Sequence, residues 1–272
     1  MRKINLLFFV LLLMAGCAPQ PYKATNKAYR QQAKTLAADL RNQPSPVPVD
    51  SLNQPNWWAG TVNFNLRKPN FVIIHHTAQN SCDQTLKTFT VTRTQVSAHY
   101  VICRDGVIHH MLNDYLRAWH GGLSKWGNMT DINSASIGIE LDNNGNEPFA
   151  PMQVRSLLVL LDTLKHRYNI PTANFIGHGD IAPRRKVDPS VYFPWQSLAE
   201  KGFGLWYDTT AVSLPASFET LTALRIVGYN VQDSTGAVEA FRRKFMPGDS
   251  TKGAQMSEAE RKVLYSIMKQ SQ

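Results

Sequence analysis

Between residues 56 and 208, short apolar runs alternate with longer stretches of helical spacing. Phe71-Val-Ile-Ile-His-His76 is rich in β-branched and aromatic residues, the composition of a buried strand. Ser81 or Asp83 can cap a helix over Gln84–Thr92. Ala98-His-Tyr-Val-Ile-Cys103 and Val107-Ile-His-His-Met-Leu112 are strand-like and joined by Arg104-Asp-Gly106, and Asp-Gly between such runs predicts a hairpin. Ser136-Ile-Gly-Ile-Glu-Leu141 reads as another buried strand. Pro151 opens a helix through about Tyr168, with Val154, Leu157, Leu158 and Leu161 on one face. A short strand at Asn174–Gly177 and a helix near Pro194–Lys201 close the interval.

Strands alternating with helices, plus one hairpin, predict an α/β domain over residues 56–208, a mixed central sheet flanked by helices. From residue 213 to 272 the texture changes to three helices, near Pro215–Val227, Thr235–Phe245 and Ser257–Lys269. Gly228-Tyr-Asn230 and Pro247-Gly-Asp249 break them, so a small three-helix domain is expected. Val238, Phe241 and Phe245 recur at helical spacing and read as its core. Residues 17–55 hold one helical stretch, Lys27 to Arg41, and then Asn42-Gln-Pro-Ser-Pro-Val-Pro48, an extended spacer.

The first 16 residues stand apart from this pattern. Arg2 and Lys3 precede an apolar core from Leu6 to Met14, short for a membrane span, and Met14-Ala-Gly-Cys17 sets small residues before a cysteine. The segment resembles a bacterial lipoprotein signal, which implies that Cys17 is lipidated and becomes the N-terminus. Ala18, where Asp would favour inner-membrane retention, resembles lipoproteins sent to the outer membrane. The expected product is exported, lipid-anchored and faces the periplasm. Removing Arg2 and Lys3 lowers the formal charge of +9 to +7, a balance that suits an anionic polymer or lipid surface. No basic stripe interleaved with aromatics is present, and with export this argues against nucleic acid as a partner. Cys82 and Cys103 remain, able to form a disulfide in an oxidising compartment if the fold brings them together.

Successive strand side chains face opposite ways, so at most one of His75 and His76 can serve a given metal. A second buried-looking strand also delivers a histidine, His178, at what reads as the start of a loop. In that loop Asp180 and Asp188 are both candidate carboxylate ligands, and each is equally a turn residue. Two imidazoles and one carboxylate suit catalytic zinc with a fourth position open to water. Glu140 lies inside an apolar run, where an ionised carboxylate is costly unless paired or used. Beside a metal it would serve as a general base, burial having raised its pKa towards neutrality. Lys186 can balance a developing oxyanion. No His-Glu-x-x-His helix is present, which disfavours a general zinc peptidase.

Five stretches carry a family resemblance in order: Ile74-His-His-Thr77, Ser97-Ala-His-Tyr-Val-Ile-Cys-Arg-Asp-Gly106, Arg117-Ala-Trp-His-Gly121, Ser136-Ile-Gly-Ile-Glu140, and Gly177-His-Gly-Asp-Ile-Ala-Pro183 with Asp188. Together they resemble the zinc-dependent N-acetylmuramoyl-L-alanine amidases related to peptidoglycan recognition proteins, over roughly Trp57 to Trp206. The resemblance implies a hydrolase that cuts the amide between N-acetylmuramic acid and L-alanine in peptidoglycan or muropeptides. It implies zinc on His75, His178 and Asp188, catalytic roles for Glu140 and Lys186, and His76 and Trp119 lining the substrate groove. Non-catalytic relatives usually lack the third ligand, so the alternative, a peptidoglycan-binding lipoprotein without activity, is the less favoured. The last three helices resemble, more loosely, the peptidoglycan-binding domain found behind such amidases.

Overall fold

The computed structural model describes residues 21–42, 66, 68–210 and 212–272. The signal segment, Cys17 and the proline-rich spacer beyond Asn42 lie outside the described residues. The chain divides into two compact units, Met1–Phe64 and Asn65–Gln272. The first contributes one described helix, α1 (Lys23–Asp39), rich in the straight-chain residues and alanines that favour helices. No helix among the described residues is long and apolar enough to cross a membrane.

The second unit is built on five strands: β1 (Phe71–His76), β2 (Tyr100–Ile102), β3 (Ile108–His110), β4 (Ser136–Leu141) and β5 (Phe175–Gly177). Their order is β3-β2-β4-β1-β5, parallel except for the β2–β3 hairpin, so the expected mixed sheet is present. The helices around it are α2 (Cys82–Phe89), α3 (Ile132–Ala135), α4 (Pro151–Tyr168), α5 (His178–Ile181) and α6 (Trp195–Ala199). Pro151 starts α4, and Asn169 ends it in the left-handed conformation that asparagine tolerates.

Strand alternation divides the sheet into two faces with different tasks. Val72, Ile74, Ile137, Ile139 and Leu141 point one way and pack with Leu157, Leu161 and Leu164 of α4 into the main core. The other face carries Ile73 and Ile176 in a smaller apolar cluster, and alternation places His75, Gly138 and Glu140 there as well. Polar groups collect on this second face because α4 does not cover it.

The structure settles the cysteine question: Cys82, in the first turn of α2, is bonded to Cys103, just beyond β2, with their Cα atoms 5.3 Å apart. It also departs from expectation at His178, which opens the one-turn helix α5 and not a loop. Asp180 Oδ2 accepts from the Gly177 N–H at 2.9 Å and closes that turn.

Three helices follow, α7 (Thr220–Val227), α8 (Ser234–Phe245) and α9 (Glu258–Gln270). Asp233 caps α8 through the Gly236 N–H, and Ser257 with Glu260 forms a capping box on α9. Val238, Phe241 and Phe245 are buried with Leu224, Leu264 and Ile267, as the periodicity predicts. These helices belong to the same compact unit as the sheet, and Trp206 packs against both apolar clusters.

Candidate metal centre and cleft

Three side-chain atoms converge at the C-terminal end of the parallel strands. His75 Nδ1 lies 2.9 Å from His178 Nδ1 and 3.0 Å from Asp188 Oδ2, and His178 Nδ1 lies 3.0 Å from the same oxygen. His75 is the penultimate residue of β1, His178 follows β5 directly, and Asp188 returns to them ten residues later. All three are buried, at 1%, 3% and 8% exposure.

The protons on these rings follow from their outer partners. Ser136 has one hydroxyl hydrogen, and the Ile132 carbonyl takes it at 2.6 Å. His120 Nε2, 3.2 Å from Ser136 Oγ, is therefore the donor to it, which leaves His120 Nδ1 as an acceptor. His75 Nε2, 3.1 Å from His120 Nδ1, then carries the hydrogen, and His75 Nδ1 is a bare lone pair. His178 Nε2 donates to the Gly121 carbonyl at 3.2 Å, so His178 Nδ1 is bare too. Two imidazole lone pairs and a carboxylate facing one another repel unless a cation sits among them.

Electrostatics agree with a cation site. Burial, with His178 alongside, lowers the His75 imidazole to about 4, so the ring is neutral at pH 7 and free to ligate. Two imidazoles and one carboxylate, each imidazole fixed by a second hydrogen bond, form the donor set of a zinc site with an open position. A second grouping, Cys82, Cys103 and His109, has its two sulfurs bonded to each other and offers no such set.

Glu140 stands directly across from His75 in the parallel β1–β4 register, on the same face, with Oε1 3.9 Å from His75 Nδ1. Burial, reinforced by the charge of Asp188, pushes its carboxyl up to about 8. These groups form the floor of a cleft of about 330 Å³, whose walls include Trp119, Lys186, Val187 and Thr88. Trp119 is half exposed and lines the opening. His76 also lines the cleft, but from the opposite side of its strand: its Nδ1 accepts from the Ser190 N–H at 3.1 Å and its ring rests against Gly145. Of the two adjacent histidines, His75 alone reaches the cluster with His178 and Asp188.

The site therefore gathers His75, His178, Asp188, Glu140 and Lys186 around one cleft, with His76 and Trp119 at its walls. Asp180 turns away. It pairs with Lys244 at 2.9 Å and accepts from the Tyr229 hydroxyl at 2.9 Å. The residue that the sequence did not single out is His120, which fixes the His75 ring from behind. Its niche is made by Gly138, where a Cβ would lie 2.4 Å from the His120 ring. The signal was present in Ser136-x-Gly138-x-Glu140: two small residues in line with a buried carboxylate leave space on that face for another side chain.

A family model described as N-acetylmuramoyl-L-alanine amidase matches residues 65–191. The N-acetylmuramoyl-L-alanine amidase AmiD of Escherichia coli strain K12 is 32% identical over 229 residues, covering 78% of this chain and 73% of that protein. The 1,6-anhydro-N-acetylmuramyl-L-alanine amidase AmpD of Haemophilus influenzae is 38% identical over 107 residues, 39% of this chain and 58% of its own length. Among solved structures, AmiD from E. coli in complex with the substrate anhydro-N-acetylmuramic acid-L-Ala-D-gamma-Glu-L-Lys superposes with a TM-score of 0.66 at 28% identity, covering 82% of this chain and 94% of that one. AmpDh3 from Pseudomonas aeruginosa gives 0.67 at 26% identity, covering 83% and 99%.

Proposed function

The chain belongs to the zinc-dependent N-acetylmuramoyl-L-alanine amidases, and we propose that it hydrolyses the amide between the lactyl group of N-acetylmuramic acid and L-alanine in peptidoglycan or its fragments. The observation that carries this reading is the convergence of two bare imidazole nitrogens and one carboxylate, with Glu140 beside them in register. Solved relatives bound to anhydromuramyl peptides support soluble wall fragments as substrates.

Zinc held by His75, His178 and Asp188 would acidify an attacking water and polarise the scissile carbonyl. Glu140, as the carboxylate and close to His75, takes the proton of that water as it attacks the lactyl carbonyl carbon. Lys186, on the same cleft wall, donates to the carbonyl oxygen as negative charge develops there. Glu140 then delivers its proton to the departing amine of L-alanine, and the C–N bond breaks. His120 holds the His75 ring in one orientation, and His76 and Trp119 contact the bound fragment. A complete ligand set with a base beside it favours an enzyme over a non-catalytic wall binder.

The anchor belongs to the same proposal: Cys17 is lipidated, and the protein faces the periplasm from the outer membrane. The Cys82–Cys103 disulfide supports an oxidising compartment. In cells, Cys17→Ser should abolish fatty-acid labelling and release the protein from membranes; unchanged labelling would refute the anchor. For the activity, zinc-loaded protein should release stem peptides beginning with L-alanine from soluble anhydromuropeptides, and a chelator should stop the release. Intact muropeptides after incubation with metal-loaded protein would refute it.

A further inference from the structure

The segment from His178 to Asp188 carries two of the three candidate ligands and Lys186, and it is contacted by α8 and by Tyr229. Lys244, buried on α8, sets its ammonium 2.9 Å from Asp180 Oδ2 and 4.0 Å from the centre of the Trp195 ring. The Tyr229 hydroxyl donates to Asp180 Oδ1, while Asp180 Oδ2 also accepts from the Gly177 N–H at the end of β5. One carboxylate thus joins the sheet, the loop between α7 and α8, and α8 itself. Arg243 reaches both ends of the segment, donating to the Gly179 carbonyl at 3.2 Å and reaching the Lys186 carbonyl at 3.5 Å. Gly179 adjoins His178, and Lys186 lies two residues before Asp188.

Taking the metal centre as read above, we propose that α8 and Tyr229 are the positioning frame of that centre: Arg243, Lys244 and Tyr229 hold the 178–188 segment so that His178 and Asp188 meet His75. Buried ion pairs contribute little net stability but define one arrangement, and that arrangement here is the spacing of two ligands. With Arg243 held to the carbonyl next to His178 and to one two residues before Asp188, a shift of α8 moves both ligand ends relative to β1. Ligand orientation in turn sets metal affinity, because groups held outside the ligand shell are worth about 10- to 100-fold in binding. The C-terminal helices then have a task at the catalytic centre whether or not they bind glycan.

The test is the zinc affinity of the full chain, measured by competition with a chelator at a temperature where circular dichroism shows each variant folded. Arg243→Ala should weaken zinc binding about 10-fold or more, Arg243→Lys should recover part of the loss, and Arg225→Ala on exposed α7 surface should match the wild type. Lys244→Met should weaken binding in the same direction; if it does not fold, Arg243→Ala decides alone. A purely structural role would lower the melting temperature and leave zinc affinity unchanged, and that result in folded Arg243→Ala overturns the proposal. Failure of the wild type to bind zinc would instead overturn the metal reading itself, and the two failures are separate in the data.

Discussion

Glu140 was legible from sequence because it interrupts an apolar strand, and its position across from His75 follows from a register that the sequence does not encode locally. Ile139 and Leu141, on the opposite face, are fully buried, so the strand cannot slip by one residue without sending Glu140 into the main core. Replacing Glu140 with Ala removes the base and leaves every candidate ligand in place. Turnover should fall about 100- to 10,000-fold while zinc stays bound at unchanged affinity; a fully active variant would remove Glu140 from the mechanism. His120 was legible only indirectly: Ser136 and Gly138 signal a niche on that face, but which side chain fills it is a tertiary fact. Choosing Asp188 over Asp180 was beyond local reading too, since both sit in one polar segment. The structure separates them by partner: Asp180 faces Lys244 and Tyr229, and Asp188 faces two imidazoles.

Among the elements, long apolar or periodic stretches declared themselves. β1, β4 and α4 fall where their patterns place them, because each buries a complete face. Short elements declared themselves less fully: the hairpin announced by Asp-Gly forms, though its strands pair over only Tyr100–Ile102 and Ile108–His110, while α5, a single turn closed by Asp180, reads from sequence as a loop. Strand order was also out of reach, since parallel neighbours far apart in sequence are chosen by packing and crossover geometry. The disulfide gives the element scale its own prediction. It ties α2, whose Thr85 and Thr88 line the cleft, to the end of β2 across a separation of 21 residues. A closure of that length stabilises a fold by ~3 kcal/mol. Replacing Cys82 and Cys103 together with Ser should lower the unfolding free energy by about that amount in denaturant titrations; an unchanged midpoint would show the bond to be energetically idle.

For the molecule as a whole, the change from alternating strands and helices to helices alone is readable in texture, while the contacts that join the two stretches into one compact unit are not. Composition shows where periodicity changes, but not that Lys244 is buried against Asp180 or that Arg243 grips the segment bearing two ligands. Residues 65–272 form one compact unit in which three C-terminal helices, a mixed sheet and a polar cleft share contacts. The most direct measurement is mass spectrometry of an anhydromuropeptide digested by the zinc-loaded protein in water enriched in heavy oxygen, beside a chelated control. The label should appear in the lactyl carboxylate of the muramyl product, with an unlabelled stem peptide beginning at L-alanine and no products in the control. Label within the peptide, cleavage at another bond, or equal turnover after chelation would contradict it.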